Sequence, residues 1–215
     1  MSKVALIAGC TGLIGRQLLD LLLTDDRYRT VVAISRRPLS VTNSKLVNVV
    51  CELSGLASHA QQLKADDVFC CLGTTIKKAK TKEAFRAVDL VAPQMLAKIA
   101  KESGAGQFFF ISSLGANKSS SIFYNQVKGE AEDEVKSVGY ATLHILRPSL
   151  LLGPRQEVRS GEDAAKFIYR FFSFLIPAKY KAIESMQVAL AMQRLAHAEQ
   201  SGTFVHASDQ ISQFE

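Results

Sequence analysis

The chain contains no apolar run of the roughly 18 residues that a bilayer-spanning helix needs, so no membrane span is expected. A secretory leader is also missing. The short apolar stretch from Val4 to Ala8 runs into a glycine-rich turn instead of a cleavage site, and cytoplasmic residence is the expectation that follows. Cysteine is sparse. Cys10, Cys51, Cys70 and Cys71 form no Cys-x-x-Cys pair and have no histidine at ligand spacing, so neither a metal site nor a disulfide framework is indicated. Internal repeats and low-complexity linkers are lacking as well. The excess of basic charge is only +6 and is dispersed, apart from the run Lys77-Lys78-Ala79-Lys80-Thr81-Lys82. That run fits a solvated loop that attracts an anionic cofactor, and nucleic acid is not an expected partner. With 215 residues, 47% hydrophobic and 21% charged, the chain has what one globular domain requires.

What is present is an alternation. Short runs rich in valine, isoleucine and phenylalanine are separated by longer stretches of helical period, the pattern of βαβ units on a parallel sheet. Strands are predicted at about 3–8, 30–35, 46–51, 67–72, 106–111 and 141–146, each close to continuously apolar, as strands covered on both faces are. Helices are predicted at about 13–23, 55–63, 82–102 and 122–138. In the third of these, Phe85, Val88, Val91, Met95, Ala97, Ile99 and Ala100 fall broadly on one side. Gly104 and Gly106 supply its stop and a tight entry to the next strand. After Pro148 the alternation weakens, with helices expected at Arg155–Phe174 and Glu184–Gln200 and a last short strand at Thr203–Ala207. The economical architecture is a single α/β domain over residues 1–215. It is a Rossmann-type, doubly wound parallel sheet of six or seven strands in a three-layer α/β/α arrangement, with a small substrate or lid portion at about 150–185.

The first strand leads into Gly9-Cys10-Thr11-Gly12-Leu13-Ile14-Gly15 and then a leucine-rich helix. One glycine permits the turn, one lets a pyrophosphate approach the backbone, and one lets helix pack on strand. Free N–H groups at the helix start attract the phosphates. The second strand ends in Ser35-Arg36-Arg37, without the carboxylate that would hold the ribose 2′-hydroxyl of NAD. Two fork-shaped donors stand instead where a 2′-phosphate would lie, which points to NADP(H). Glu52 and Leu53, after the third strand, are placed to flank an adenine. Cys71-Leu72-Gly73-Thr74, after the fourth, are placed to let backbone approach the cofactor.

The fifth strand ends in Ser112-Ser113, and Tyr124-Asn125-Gln126-Val127-Lys128 follows on a predicted helix. Phenol and ammonium at i and i+4 share one helical face. A positive charge lowers a phenol's pKa from about 10 towards working pH, which suits general acid/base work on a carbonyl–alcohol couple. A serine hydroxyl at the strand end can donate to the same oxygen.

Taken with Leu146-Arg147-Pro148-Ser149-Leu150-Leu151-Leu152-Gly153-Pro154, these motifs resemble those of the atypical short-chain dehydrogenase/reductases. More narrowly, the chain resembles the Tat-interactive protein family of NADPH-binding, oxidoreductase-like proteins over roughly residues 3–195. The segments Phe69–Thr75, Lys118–Ser120, Tyr124–Glu130 and Leu150–Glu157 carry that match. The resemblance implies a Rossmann-type fold, bound NADP(H) and a triad. Tyr124 would be its proton donor, Lys128 the activator and nicotinamide-ribose anchor, and Ser113 (in preference to Ser112) the carbonyl polariser. Pro148 and the residues after it, Leu151 among them, would lie against the nicotinamide. The resemblance departs at Val88-Asp89-Leu90, where better-known members carry an asparagine for proton relay.

The four histidines (His59, His144, His197, His206) show no partner pattern, and Asp66-Asp67 reads as a turn at a strand entrance. The aromatic run from Phe167 to Ile176 suits core packing, a pocket wall or a dimer face. Two functions remain open at this level. One is hydride transfer to or from a small carbonyl or alcohol. The other is a non-catalytic NADPH-binding regulator with a protein partner, for which members of the family provide precedent.

Overall fold

The computed structural model describes residues 2–153, 177–198 and 200–214. The helix expected at Arg155–Phe174, the aromatic run and most of the lid portion lie outside the described residues.

Strand β1 (Lys3–Ala8) is central. It pairs in parallel with β2 (Tyr28–Ser35) on one side and β4 (Asp67–Cys70) on the other. The sheet continues outward to β3 (Leu46–Val50) beyond β2. Beyond β4 come β5 (Gln107–Ile111), β6 (Thr142–Arg147) and β9 (Gly202–Ala207). The seven-stranded order β3-β2-β1-β4-β5-β6-β9 is parallel throughout and reverses direction beside β1, as in a doubly wound sheet. A separate two-stranded ladder joins β7 (Leu151–Leu152) to β8 (Ile183–Glu184).

Alternation along each strand divides the core in two. Leu6, Ala8, Phe108 and Phe110 point to one face, where they meet a 3₁₀ helix (Leu53–Gln62), α4 (Ala92–Glu102) and α5 (Phe123–Ser137). Ala5, Ile7, Phe69 and Phe109 point to the other, covered by α1 (Leu13–Thr24) and α6 (Ser185–His197). Helix α1 forms because Ile14, Leu18, Leu19, Leu22 and Leu23 recur at helical spacing and bury one side. Short helices α2 (Ile76–Ala79), α3 (Lys82–Arg86) and α7 (Ser208–Ile211) and a 3₁₀ turn at Ala178–Tyr180 are also present. Among the described residues, no helix is long and apolar enough to cross a membrane.

Two local expectations change. The helix expected at 55–63 is a 3₁₀ helix that begins at Leu53, and its one fully buried side chain is Leu56. The helix expected at 82–102 is α3 and α4 joined by a π-helical turn, Ala87–Val91. A π turn takes one residue more than an α turn, which rotates the face presented to the core. Asp89 and Leu90 therefore turn inward, while Val91, expected on the apolar side, is 45% exposed.

Candidate cofactor and active site

Because the sheet is parallel, the loops after β1, β4, β5 and β6 all emerge at one edge. After β1, Gly9 adopts φ +83°, and a methyl group there would lie 2.4 Å from the Cys71 carbonyl oxygen. At Gly15 a methyl would lie 2.1 Å from the Gly9 oxygen. The backbone thus leaves no room for a side chain at either Gly9 or Gly15. Gly12 N–H donates to Gly9 O at 2.9 Å, and Gly12 begins α1 without a side-chain cap or an acidic residue in the first turn. Thr11 and Gly12 are exposed, Leu13 is half-buried, and Ile14 is in the core. This is a cradle of backbone donors open to an anion.

The exit of β4 abuts this turn, since Gly9 packs on Cys71 and Leu72. Two residues on, a methyl at Gly73 would be 3.5 Å from Asp89 Oδ1 and 3.7 Å from Lys128 Nζ. Those two groups form a buried ion pair of 2.8 Å. The other carboxylate oxygen, Asp89 Oδ2, accepts from the Thr74 backbone N–H at 2.9 Å. Burial pulls Lys128 towards neutrality, but the Asp89 charge, the Tyr124 phenol one turn earlier and the Asp89 hydrogen bond together hold it above its ordinary value. It is therefore an ammonium. Its Nζ also lies 5.7 Å from the centroid of the Phe110 ring, on β5. Tyr124 is half-buried, its ring 5.6 Å from that of Phe85.

At the ends of β5 and β6 the paired serines separate in role. Ser112 is buried and its hydroxyl donates to Glu132 Oε1 at 2.5 Å. Arg147, ending β6, donates to both oxygens of the same carboxylate, with Nε at 2.8 Å and Nη2 at 2.5 Å. Ser113 is half-exposed. Tyr124, Lys128 and Glu132 are spaced by four, so one stripe of α5 carries all three. Pro148 is buried after β6, with Leu151 half-buried beyond it, and a methyl on Gly153 would meet Leu13 Cδ1 at 3.1 Å. The segment after β6 thus returns to the glycine turn.

Arg36 and Arg37 are exposed past the end of β2, and their side chains have no partner among the described residues. Glu52 is exposed at the start of the 3₁₀ helix, and Leu53 packs partly against the core. The sequence reading noted Asp89 only as a departure at the relay position and missed its pairing with Lys128, and it missed Glu132 altogether. Glu132 had a signal, an acid four residues beyond Lys128 on the same face.

Elsewhere the structure corrects smaller expectations. Histidines without a partner pattern do find partners, His144 Nδ1 lying 2.9 Å from His206 Nε2 and His197 Nε2 2.7 Å from Asp25 Oδ2. Asp67 is not a turn residue. It is buried in β4, where Tyr28 Oη donates to it at 2.8 Å and Gln107 Nε2 at 2.9 Å. These contacts come from across the strands of the sheet or, for His197 and Asp25, from between two helices, and a local reading sees neither. Burial pushes the Cys10 thiol up to about 11 and Cys70 to about 12, so neither is a thiolate at neutral pH.

A doubly wound parallel sheet with a glycine turn after β1 and an uncapped helix behind it defines a nucleotide-binding protein of the Rossmann class. The family described as NAD(P)H-binding matches residues 9–168, and the chain belongs to it, in the group of the Tat-interactive and FMP52 proteins. Rat Protein HTATIP2 is 38% identical over 178 residues, covering 81% of this chain and 72% of the relative. Protein fmp52-1, mitochondrial, of Aspergillus terreus is 36% identical, covering 80% and 76%. Among solved structures, the Bordetella bronchiseptica enzyme WbmH in complex with NAD+ superposes with a TM-score of 0.73. It is 18% identical and covers 97% of this chain and 76% of that one, a likeness of fold. The expectation of cytoplasmic residence is overturned: the fungal relatives are named as mitochondrial proteins.

Proposed function

We propose that the protein is an NADP(H)-dependent oxidoreductase of the short-chain dehydrogenase/reductase type, acting on a small carbonyl or alcohol. The glycine turn, a cradle that any side chain would fill, fits a dinucleotide pyrophosphate. The bound dinucleotide supplies or accepts the hydride. In this reading Gly9, Thr11, Gly12, Leu13, Ile14 and Gly15 hold the phosphates, while Arg36 and Arg37 take the 2′-phosphate. Glu52 and Leu53 flank the adenine, Cys71 to Thr74 approach the ribose, and Pro148 and Leu151 lie on the nicotinamide side. Tyr124 gives or takes the proton at its phenol oxygen, Ser113 donates to the substrate oxygen, and Lys128 anchors the nicotinamide ribose and biases the phenol.

One observation carries the reading. A buried ammonium, held 2.8 Å from a carboxylate, lies one helical turn from Tyr124 and beside Gly73 at the carboxyl edge of the sheet. The test is NADPH oxidation across a panel of small carbonyl compounds. Turnover should appear with the wild type and fall at least 100-fold in Tyr124→Phe, with NADPH affinity retained. Tight NADPH binding without turnover on a broad panel would make the protein a cofactor-binding regulator instead.

A further inference from the structure

The segment after β4 carries Lys77, Lys78, Lys80 and Lys82, all exposed, and no acidic residue before Glu83. It is folded, not loose. Thr75 Oγ1 accepts from the Lys78 N–H at 3.2 Å to cap α2, and Thr81 Oγ1 accepts from the Ala84 N–H at 3.1 Å to cap α3. Both of its ends border the candidate reaction centre. At one end Gly73 faces Lys128, and the Thr74 N–H donates to Asp89. At the other, Lys82 Nζ lies 5.2 Å from the centroid of the Phe123 ring, and Phe123 directly precedes Tyr124. The segment after β5 adds no net charge, because its Lys118 pairs with Asp133 at 2.7 Å. Lys179 and Lys181, just before β8, are exposed, and Glu184 beside them is taken up in capping α6. Among the described residues, the charge on this side of the crevice is therefore predominantly positive.

The order of the sheet separates this charge from the phosphates of a dinucleotide. The glycine cradle follows β1, and Arg36 and Arg37 follow β2, whereas the lysine run follows β4, across the reversal beside β1. The half of the crevice beyond the pyrophosphate takes the nicotinamide ring, which bears no negative charge for lysines to meet. Resting on the reading of Tyr124 and Lys128 as the reaction centre, we infer that the substrate carries an anionic oxygen group, a carboxylate or a phosphate. The lysines after β4 attract that group and orient the reacting carbonyl towards Tyr124. A unit charge about 10 Å away in water changes anion binding about twofold, so four together give about tenfold, and salt screens much of this.

Two measurements on the NADPH-saturated protein test this. In the first, short aldehyde acids and the methyl esters of the same acids are compared as substrates. The acids should have about tenfold higher kcat/KM in low salt, with the ratio falling as salt is raised. Charge reversal in Lys77→Glu/Lys80→Glu should remove the preference, and such exposed sites tolerate substitution with little loss of stability. An acid-to-ester ratio that charge reversal leaves unmoved overturns the inference and leaves the oxidoreductase reading standing. The second measurement needs no reaction: calorimetric titration with succinate, its dimethyl ester and inorganic phosphate. Succinate or phosphate should bind, the tighter of the two naming the anionic group, and the ester should not. The double variant should weaken that binding about tenfold. No anion binding to the NADPH-loaded protein overturns the inference, whether or not carbonyls are turned over. Lysine-dependent anion binding without any turnover supports the anion site and defeats the proposed reaction alone. A fall in NADPH affinity as large as the fall in anion affinity would assign the lysines to the cofactor and overturn the inference.

Discussion

At the scale of single residues, the glycine turn is decided by distances too short for any side chain. A Gly15→Ala methyl would sit 2.1 Å from backbone oxygen, which cannot swing aside as a flexible side chain would. Either α1 moves off β1 or the turn opens, and dinucleotide affinity should fall at least tenfold, by an order-of-magnitude argument from ~1.4 kcal/mol of lost fit. Fluorescence titration with NADPH checks this, and unchanged affinity would mean that the turn is not the phosphate cradle. Arg36 poses a separate question, cofactor choice. Exposed and without a side-chain partner among the described residues, its guanidinium is available to a 2′-phosphate, and a charge-assisted hydrogen bond of this kind is worth about 1.5–3 kcal/mol. Arg36→Ala should weaken NADPH by roughly 10- to 100-fold and leave NADH nearly unchanged. Equal losses for both would contradict the assignment of the 2′-phosphate.

Among the elements, α5 is the one on which the site converges. Its stripe Tyr124–Lys128–Glu132 touches the π turn, the end of β5 and the end of β6 in succession. Glu132 is 1% exposed and accepts from Ser112 and doubly from Arg147, so it clamps the two strand ends that bear Ser113 and Pro148. Removing one partner of a buried, hydrogen-bonded pair costs about 3–5 kcal/mol, and here somewhat less because the Arg147 side chain keeps 29% exposure. Glu132→Ala should therefore lower stability by roughly 2–4 kcal/mol in urea denaturation. A loss below about 0.5 kcal/mol would show that the clamp contributes little, as surface pairs do. The stripe was half legible in the sequence, since Tyr124 and Lys128 carry chemistry that draws the eye. Glu132 carries only the weaker signal of its spacing from Lys128, on a helix rich in charged residues. The π turn was not legible at all: its residues have ordinary helical propensity, and the extra residue is accommodated by tertiary packing.

For the molecule as a whole, the side of the sheet far from α5 carries a pH dependence. His144 is fully buried on β6 between the rings of Phe109 and Phe204, and it shares a short contact with His206 of β9. Burial first, and the neighbouring His206 second, push its pKa down to about 4 from the ordinary 6.5. Burial lowers His206 too. A group depressed in the folded state contributes stability in full above its unfolded value and loses it as pH falls. The contribution of His144 is therefore complete above about 6.5 and lost down to about 4, some 3 kcal/mol at about 1.4 kcal/mol per pH unit. His144→Phe should flatten the acid side of the stability profile in that window, read from urea midpoints at successive pH. A slope identical to wild type would assign the acid sensitivity to other groups.

The sequence by itself determined the layered α/β architecture, the positions of the main strands within about two residues, the glycine turn and the Tyr124–Lys128 spacing on one helix. Each of these rests on local periodicity or on residues adjacent along the chain. Only the tertiary structure decided that Asp89 opposes Lys128, that Glu132 joins Ser112 to Arg147, and that His144 meets His206. Those partners come from elements 15 to 62 residues apart. Their pairing follows from which strands lie side by side, and a buried charge or ring takes its properties from that neighbour far more than from its own place in the sequence.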